Sequence, residues 1–366
     1  MEMSTDKILI TGGSGFIASY LTMKLLEENI AAEVVLFDRD PDLRRLKGFN
    51  TTAKMRYDAV SRRVKFVQGD LSILSHVLAV FDIHQPTSVF HLGALLSAGA
   101  ETNPTQGFQV DAIGTWNVLE AARLRYECCC DTMPGLIKVI FPSTIASFGS
   151  FIEQGKLVRN EDIQMPETMY GVSKVASERL GEYYTAKEWV DFRAVRFPSV
   201  IGAARGPGGT TVYSTLMVQI PARDKAYEVY VNKDTRLDVL YVKDAVNALL
   251  HLHDAPQAKL KRRVYNIAGI RTKDQSGQFR APMASEIEAA VMAQATARGL
   301  KNAKITYKSD SELQKKVEKF GILDDTAAST DLNWPGATFD LNKTVTDFFE
   351  EVNLYPQRIK AIELFG

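Results

Sequence analysis

Tyr170 and Lys174 are the two residues of this chain whose types and spacing best suit catalysis. On a helix, side chains four positions apart lie on the same face and meet. An ammonium group beside a phenol lowers the phenol's pKa from its usual value of about 10, so we expect Lys174 to make Tyr170 usable near neutral pH. Thr144 supplies a hydroxyl that can hold the same substrate oxygen. These three residues are the predicted catalytic set, with Tyr170 as general base on a substrate hydroxyl.

A glycine-rich turn near the N-terminus is the first element needed to position a cofactor beside that set. Residues Lys7–Thr11 form a short apolar run typical of a strand, and a helical pattern then continues to about residue 28. Between them, Gly12, Gly15 and Ala18 have the spacing of a dinucleotide-binding turn. The N-terminus of the helix offers free N–H groups to phosphates. The predicted phosphate-binding residues are Gly12, Gly15, Phe16 and Ile17.

The end of the predicted second strand, 33–37, bears on the choice of cofactor. Asp38 follows this strand and can accept hydrogen bonds from the adenosine ribose hydroxyls, while it would repel a 2′-phosphate. The carboxylate therefore favours NAD over NADP. Arg39 beside it leaves the alternative open, because a guanidinium can pair with a 2′-phosphate.

Three further predicted strands, Val64–Gln68, 88–92 and 136–141, end in residues suited to the same edge of a parallel sheet. Ligands of open α/β folds bind at the carboxyl ends of the strands. Asp70 could reach the adenine amino group, and small residues after the fourth strand let a cofactor lie against backbone. The predicted contacts are Asp70, Leu71, Leu92, Gly93 and Ala94. Ser143 and Thr144 follow the fifth strand. We expect their hydroxyls to contact a ligand at this edge, and the alternative is that they only cap a turn.

These motifs together resemble the extended short-chain dehydrogenase/reductase family, which includes sugar-nucleotide epimerases and dehydratases. The similarity runs over about 7–352 and includes Arg196-Phe197-Pro198 and the segment 265–269. It implies an α/β fold: a Rossmann-type doubly wound parallel sheet with a smaller, mixed C-terminal substrate-binding lobe. It also implies NAD as cofactor, Phe197 in the cofactor site, and a Lys174 that hydrogen-bonds the nicotinamide ribose.

Within that family the chain is most similar to the short-chain type of L-threonine 3-dehydrogenase, through the segments 95–98, 143–149 and 207–213. The predicted substrate-binding residues are Ser97, Ser143, Thr144, Thr210 and Thr211, although each could equally be an ordinary loop hydroxyl. Val212 stands where the threonine enzymes carry an aspartate. Because valine cannot pair with an ammonium group, we expect L-threonine to be a poor substrate and a hydroxy acid or sugar acid to be favoured. The alternative is that an acidic residue of the extra segments supplies the missing charge.

Three functions remain open at this point. The favoured one is NAD-dependent oxidation or reduction of a secondary alcohol or ketone. The alternative is an NAD-dependent epimerase of a sugar or sugar nucleotide, which begins with the same oxidation and then returns the hydride. A non-catalytic NAD-sensing protein is the third, and the intact Tyr170 and Lys174 argue against it.

Strands alternate with helical patterns as far as about Pro198, which predicts an NAD-binding parallel sheet over 1–198 and a smaller lobe over 199–366. The two parts are expected to be interleaved, with an approximate boundary. Helices are expected near 14–28, 72–83, 105–126 and 170–188, and the polar stretch 269–282 is expected to be a loop. Relative to the threonine enzymes, the chain has extra residues near 42–63, 128–135, 151–164 and 271–284. In relatives of this kind the helices at 106–123 and from 170 often pair between subunits, which implies a homodimer.

Composition narrows the partners of this 366-residue chain. Its 44 basic and 44 acidic residues balance, and no block of like charge occurs, which argues against nucleic acid and anionic membranes. No run of apolar residues is long enough to span a bilayer. The three cysteines, 128–130, are adjacent, so we expect buried small residues near a helix end rather than metal ligands. The lack of a disulfide framework predicts a cytoplasmic protein with a small-molecule substrate.

Overall fold

A seven-stranded sheet, parallel throughout, forms the centre of the computed structural model, which describes residues 6–50, 56–129, 135–149, 156–273 and 276–363. The strands of this sheet are β1 Lys7–Thr11, β2 Glu33–Asp38, β3 Val64–Gln68, β4 Ser88–His91, β5 Lys138–Thr144, β7 Asp191–Phe197 and β11 Val264–Asn266. Their order across the sheet is β11-β7-β5-β4-β1-β2-β3. The direction of strand order reverses between β1 and β4, and in open α/β sheets a ligand crevice lies at such a reversal.

The central strands are apolar on both faces because helices cover both sides of the sheet. Side chains alternate between the two cores: Ile8 and Ile10 of β1 face one, whereas Leu9 faces the other. The first core is closed by helices α1 Phe16–Glu27 and α10 Val242–Asp254. The second is closed by α4 Leu74–His84, α7 Gly114–Cys129 and α8 Met169–Ala186. The predicted Rossmann-type fold is confirmed.

The helix expected over 105–126 is interrupted. Short helices α5 Ser97–Thr102 and α6 Pro104–Phe108 precede a π-helical turn, Gln109–Ile113, and α7 then continues to Cys129. Asn103 starts α6 because its Oδ1 accepts a hydrogen bond from the N–H of Gln106 at 3.1 Å, with Pro104 in the first helical position. The sequence pattern that predicted one continuous helix does not indicate this π turn.

The central sheet takes strands from both predicted domains. Strand β11 and helix α10 follow residue 198 in the chain, yet β11 pairs with β7 and α10 covers the sheet. The smaller lobe is built from paired short strands: β8 Ser199–Ile201 with β10 Val239–Tyr241, β9 Ala226–Val229 with β14 Lys304–Tyr307, and β6 Leu157–Val158 with β15 Ile322–Leu323. Its helices are α9 Tyr213–Gln219, α11 Ala284–Ala297, α12 Ser311–Glu318, α13 Thr326–Leu332, α14 Leu341–Leu354 and α15 Pro356–Glu363.

Two expectations are wrong, one about the stretch 269–282 and one about the burial of the cysteines. The stretch 269–282 contains a short antiparallel hairpin, β12 Thr272–Lys273 with β13 Phe279–Arg280, rather than an unstructured loop. Cys128 is exposed and Cys129 is only partly buried, because the buried side chains of α7 end at Ala122 and its last turns project beyond the core. Cys130 lies outside the described residues.

The extra segments are partly helical. Helices α2 Arg44–Lys47 and α3 Tyr57–Val60 occupy the insertion near 42–63, while 51–55, 130–134 and 151–155 lie outside the described residues. Among the described helices, none combines the length and the apolar character of a bilayer-spanning segment. In the part of the chain that the structure describes, no group of three or more His, Cys, Asp or Glu side chains is placed to hold a metal ion.

Candidate active site

The glycine turn after β1 packs directly against the segment that follows β4. Gly12 has a φ of +66°, and a Cβ atom there would lie 2.7 Å from the Cα of Gly93. The N–H of Gly15 donates to the carbonyl of Gly12 at 2.9 Å, so the turn is tight and α1 begins at once with Phe16. The first residues of α1 line the crevice, and the free N–H groups at a helix N-terminus can bind phosphate oxygens.

Two cavities lie along the carboxyl edge of the sheet and share the glycine turn. The smaller cavity, of about 200 Å³, is lined by the residues predicted to bind the adenosine part of the cofactor. Asp38 is held in it by two backbone N–H groups, those of Ser14 at 3.0 Å to Oδ2 and Asp40 at 3.1 Å to Oδ1. Predicted cofactor residues in this cavity are Gly12, Gly15, Asp38, Arg39, Asp70, Leu71, Leu92, Gly93 and Ala94.

The larger cavity, of about 430 Å³, contains the predicted catalytic and substrate residues. Predicted residues that line it are Phe16, Ile17, Ser97, Ser143, Thr144, Tyr170, Lys174, Phe197, Thr210 and Thr211. Every residue predicted from the sequence to bind cofactor or substrate therefore lines one of the two cavities. Their individual roles stay predictions.

Thr144, Tyr170 and Lys174 come together from one strand end and one helix start. Thr144 ends β5, and its Oγ1 accepts the N–H of Ala146 at 3.1 Å, which leaves its own proton free to donate. Tyr170 lies in the first turn of α8, which Thr168 caps. The Nζ of Lys174 donates to the carbonyl of Pro142 at 2.9 Å and lies 4.3 Å from the centre of the Phe141 ring. One of the three lysine N–H bonds is thus used by β5.

The expected lowering of the tyrosine's pKa by Lys174 is wrong for this structure. Burial raises the pKa of Tyr170, the carboxylate of Asp111 raises it further, and only Arg205 opposes them. The lysine ammonium donates to the carbonyl of Pro142 and lies 5.6 Å from the centre of the Tyr170 ring. Burial also lowers the pKa of Lys174 to about 8, against the opposing carboxylates of Asp111 and Glu178.

Ser143 is tied into a buried ion pair. Its hydroxyl donates to Glu178, whose carboxylate also accepts from Arg196 at 2.7 Å (Nη2) and 3.0 Å (Nε). The Ser143 proton is therefore committed, and its oxygen can only accept a hydrogen bond from a ligand. The pair anchors α8 against β7, next to the catalytic residues.

Sequence reasoning missed Arg205, which also lines the larger cavity. Its Nη1 donates to the carbonyl of Val200 at 2.8 Å and makes longer contacts with two hydroxyls. Among the described residues, no carboxylate forms an ion pair with it, and burial lowers its pKa to about 10. One signal was available: Arg205 is the only charged residue between Phe197 and Ala222.

The charge of the larger cavity is predominantly positive. Arg45, from the inserted helix α2, lines it together with Lys174 and Arg205. Asp238 is the one carboxylate among its described lining residues, and Arg271 already pairs with it at 2.6 Å. Asp238 also accepts the backbone N–H groups of Gly269 and Leu323.

Val212 does not form part of the wall of this cavity, contrary to expectation. Thr210 and Thr211 line the cavity, but Val212 turns away into the start of α9 and is buried, with 9% of its surface exposed. The reason is local: its N–H bonds back to the carbonyl of Gly209 at 3.2 Å, which closes the turn.

A comparison with known protein families shows the family to which this chain belongs. Residues 8–268 match the profile of the NAD dependent epimerase/dehydratase family, which is well over half of the chain. The chain belongs to this family. It is therefore an NAD-dependent enzyme with oxidoreductase chemistry.

Individual proteins with similarity to this chain are consistent with its membership of the family. Mitochondrial L-threonine 3-dehydrogenase of Sus scrofa is 30% identical over 349 residues, covering 94% of this chain and 82% of the relative. An uncharacterized epimerase/dehydratase of Staphylococcus haemolyticus is 33% identical, covering 72% of this chain and 76% of the relative. The structure of L-threonine dehydrogenase from Phytophthora infestans superposes with a TM-score of 0.76 at 31% identity, covering 95% and 99% of the two chains.

The two cavities fit NAD. Gly12 and Gly15 line both cavities and have no side chain to keep a pyrophosphate away from the backbone of the turn, and Asp38 lines the cavity on the side predicted for the adenosine ribose. Tyr170 and Lys174 lie in the adjoining cavity, beside the expected place of the nicotinamide. Arg45 reaches the same turn, since its Nη1 donates to the carbonyl of Ser14 at 3.4 Å and its Nε to that of Ala204 at 3.2 Å.

Proposed function

We propose that this enzyme is an NAD-dependent dehydrogenase acting on the secondary hydroxyl of a small anionic substrate, a hydroxy acid or a sugar acid. The observation that carries the proposal is Arg205, a guanidinium without a carboxylate partner among the described residues, in the cavity that holds Tyr170. A planar guanidinium matches a carboxylate with two parallel hydrogen bonds. Arg205 and Tyr170 line the same cavity, so a carboxylate bound to the guanidinium would share that cavity with the reacting hydroxyl.

The protein residues have separate tasks in this reaction. Thr144 donates its free proton to the substrate oxygen and holds it in place, and Tyr170 removes the proton of the substrate hydroxyl. Lys174 keeps two N–H bonds for the nicotinamide ribose, because only one is used by Pro142. Acceptance of the hydride is the chemistry that bound NAD supplies.

An amino acid fits the same cavity less well. The ammonium group of L-threonine needs a charged or hydrogen-bonding partner once it leaves water. Asp238, the one carboxylate among the described lining residues, is already occupied by Arg271 and two backbone N–H groups. The argument against threonine thus rests on Asp238, while Val212 lies outside the cavity wall.

The test compares an acid with its neutral ester. We expect NADH formation with 3-hydroxybutyrate to exceed that with methyl 3-hydroxybutyrate and with L-threonine. Arg205→Gln should lower kcat/KM for the acid by roughly 30-fold or more, equivalent to about 2 kcal/mol, and leave the ester unchanged. Arg179→Gln, at an exposed arginine on α8, is the matched control. Efficient oxidation of L-threonine, or equal loss for acid and ester, would overturn the proposal.

The epimerase alternative has a distinct outcome in the same experiment. An epimerase keeps its NAD tightly bound and returns the hydride to the substrate, so no net NADH accumulates. Purified enzyme that retains NAD, and forms no NADH with the whole set of hydroxy acids and sugar acids, would favour epimerisation.

We also propose that the enzyme is a homodimer joined through α7 and α8. The two helices pack side by side, with Tyr184 of α8 donating to Glu120 of α7 at 2.9 Å. Their outer faces carry large exposed apolar side chains: Trp116 and Leu124 on α7, and Val172 and Tyr183 on α8. Pairing of this surface with its copy would cover these groups in a four-helix interface.

A further inference from the structure

Asp111 is a buried carboxylate that the catalytic scheme above does not use. It lies in the π-helical turn Gln109–Ile113 and is 2% exposed. Its Oδ1 accepts the N–H of Leu95 at 2.7 Å, but its Oδ2 is buried without a hydrogen-bond partner. An unpaired buried carboxylate oxygen is costly, and π turns in helices frequently occur at functional sites.

The π turn fixes Asp111 against α8. Its backbone carbonyl accepts hydrogen bonds from the hydroxyls of Ser177, at 3.2 Å, and Thr115. Ser177 lies about one helical turn from Lys174 on α8, so the π turn packs beside the part of the helix that carries the pair. The charge of the Asp111 carboxylate acts on both Lys174 and Tyr170. The carboxylate raises the pKa of both residues, and the lysine in turn lowers that of Asp111.

The other ionisable groups around the pair are committed elsewhere or neutral. Glu178 on α8 also acts on Lys174, but its carboxylate is bonded to Arg196. His91 on β4 is fully buried, which lowers its pKa to about 3 and keeps it neutral at working pH. Arg205 acts on the tyrosine with the opposite sign. Asp111 therefore provides the uncommitted negative charge behind the pair.

We propose that Asp111 is the buried counter-charge that keeps the Lys174 ammonium charged and sets the pH range in which the Tyr170–Lys174 pair works. The inference rests on the proposed function for the roles of that pair. Asp111 does not line the cavity, so it acts through the other two as a positioning residue.

The sign of the effect follows from the charge. An ionised Asp111 makes both Lys174 and Tyr170 lose their protons at higher pH than they otherwise would. Burial raises the pKa of Asp111 itself to about 6, so this effect is present above about pH 6 and disappears as the carboxylate is protonated below it.

NAD affinity measured against pH tests the proposal without any substrate. Asp111→Asn keeps the size of the side chain and an acceptor for Leu95 but removes the charge. We expect NAD affinity, which depends on the charged lysine, to fall at a pH about one unit lower in this variant than in the wild type. Glu127→Gln, on the exposed part of α7, makes the same change in net charge and should leave the profile unchanged.

Kinetics provide the second readout. In Asp111→Asn the rise of kcat/KM for hydroxyl oxidation should move to lower pH by a similar amount, while wild type and variant coincide below about pH 6. Overlapping profiles in both experiments, or an equal shift in Glu127→Gln, would overturn the proposal.

The two experiments also separate this inference from the proposed function. If no hydroxy acid is oxidised, the proposed function fails, but the NAD titration still tests Asp111. If Asp111→Asn does not fold, Asp111→Ser carries the same tests, since it removes the same charge and introduces a smaller polar side chain.

Discussion

At the active site, the hydroxyl of Tyr170 and the ammonium of Lys174 have different surroundings. The lysine is fixed by the carbonyl of Pro142 and the ring of Phe141, both on β5. Two charges act on the tyrosine with opposite signs: the Asp111 carboxylate raises its pKa and the Arg205 guanidinium lowers it. A phenol of raised pKa stays protonated at neutral pH, so proton removal from a substrate becomes easier as the pH rises.

Removing the phenol oxygen should abolish turnover but not cofactor binding. Tyr170→Phe keeps the ring and its packing while deleting the proton acceptor, and such proton transfers contribute roughly 10²–10⁴-fold to rate. We expect kcat to fall by that amount and the NAD dissociation constant to stay near wild type. Tyr183→Phe, at an exposed tyrosine on the same helix, is the control. A Tyr170→Phe variant that turns over near the wild-type rate would show that another group is the base.

Asp38 should determine the preference for NAD over NADP. Its carboxylate is held at the end of β2 by the N–H groups of Ser14 and Asp40, and a 2′-phosphate there would meet a like charge. Asp38→Ala should narrow the ratio of the two dissociation constants by about tenfold or more. Asp40→Ala, which removes an exposed charge two residues away, should change it much less. Tighter binding of NADP by the wild type in a direct titration would assign selection to Arg39 instead.

Helices α7 and α8 do two things at the scale of secondary-structure elements. Their inner faces close the second core and, through the π turn before α7, place Asp111 behind Lys174. Their outer faces leave Trp116 and Val172 exposed. The same pair of helices therefore links the catalytic residues to the proposed subunit interface.

A charge in the centre of that outer face should weaken the dimer. Large aromatic side chains at the centre of an interface typically contribute about 2 kcal/mol or more, which is roughly 30-fold in the dissociation constant. We expect sedimentation equilibrium to give a dimer for the wild type and a shift toward monomer for Trp116→Lys. Ile83→Lys, at an exposed isoleucine on α4, is the matched control. A monomeric wild type at micromolar concentration would disprove the proposed interface.

At the scale of the whole molecule, the two parts of the chain share one core and one cleft. Strand β11, from the second part, pairs with β7, and Arg193 of β7 donates to three backbone carbonyls at and just beyond the C-terminal end of α10. The larger cavity is lined on one side by the glycine turn and on the other by Arg205 and Asp238. Segments from both sides of residue 198 thus build one core, and the predicted domain boundary stays a prediction. The predicted cytoplasmic location also stays a prediction.

The sequence by itself determined those features that depend on neighbours in the chain. The five strands from Lys7 to Thr144 follow from short apolar runs, and the Tyr170–Lys174 pair follows from helical spacing. The glycine turn follows likewise, because only glycine readily adopts the positive φ found at Gly12.

Only the tertiary structure decided which charges surround that pair. Asp111 and Arg205 are distant in sequence from Tyr170, and nothing in their local patterns indicates that they act on it. A pKa depends on burial and on charges that packing brings near, so the expected effect of Lys174 was wrong although its position was right. For the same reason the pairing of β11 with β7 could not be predicted: the order of strands in a sheet is fixed by contacts between distant segments, not by the periodicity of either strand.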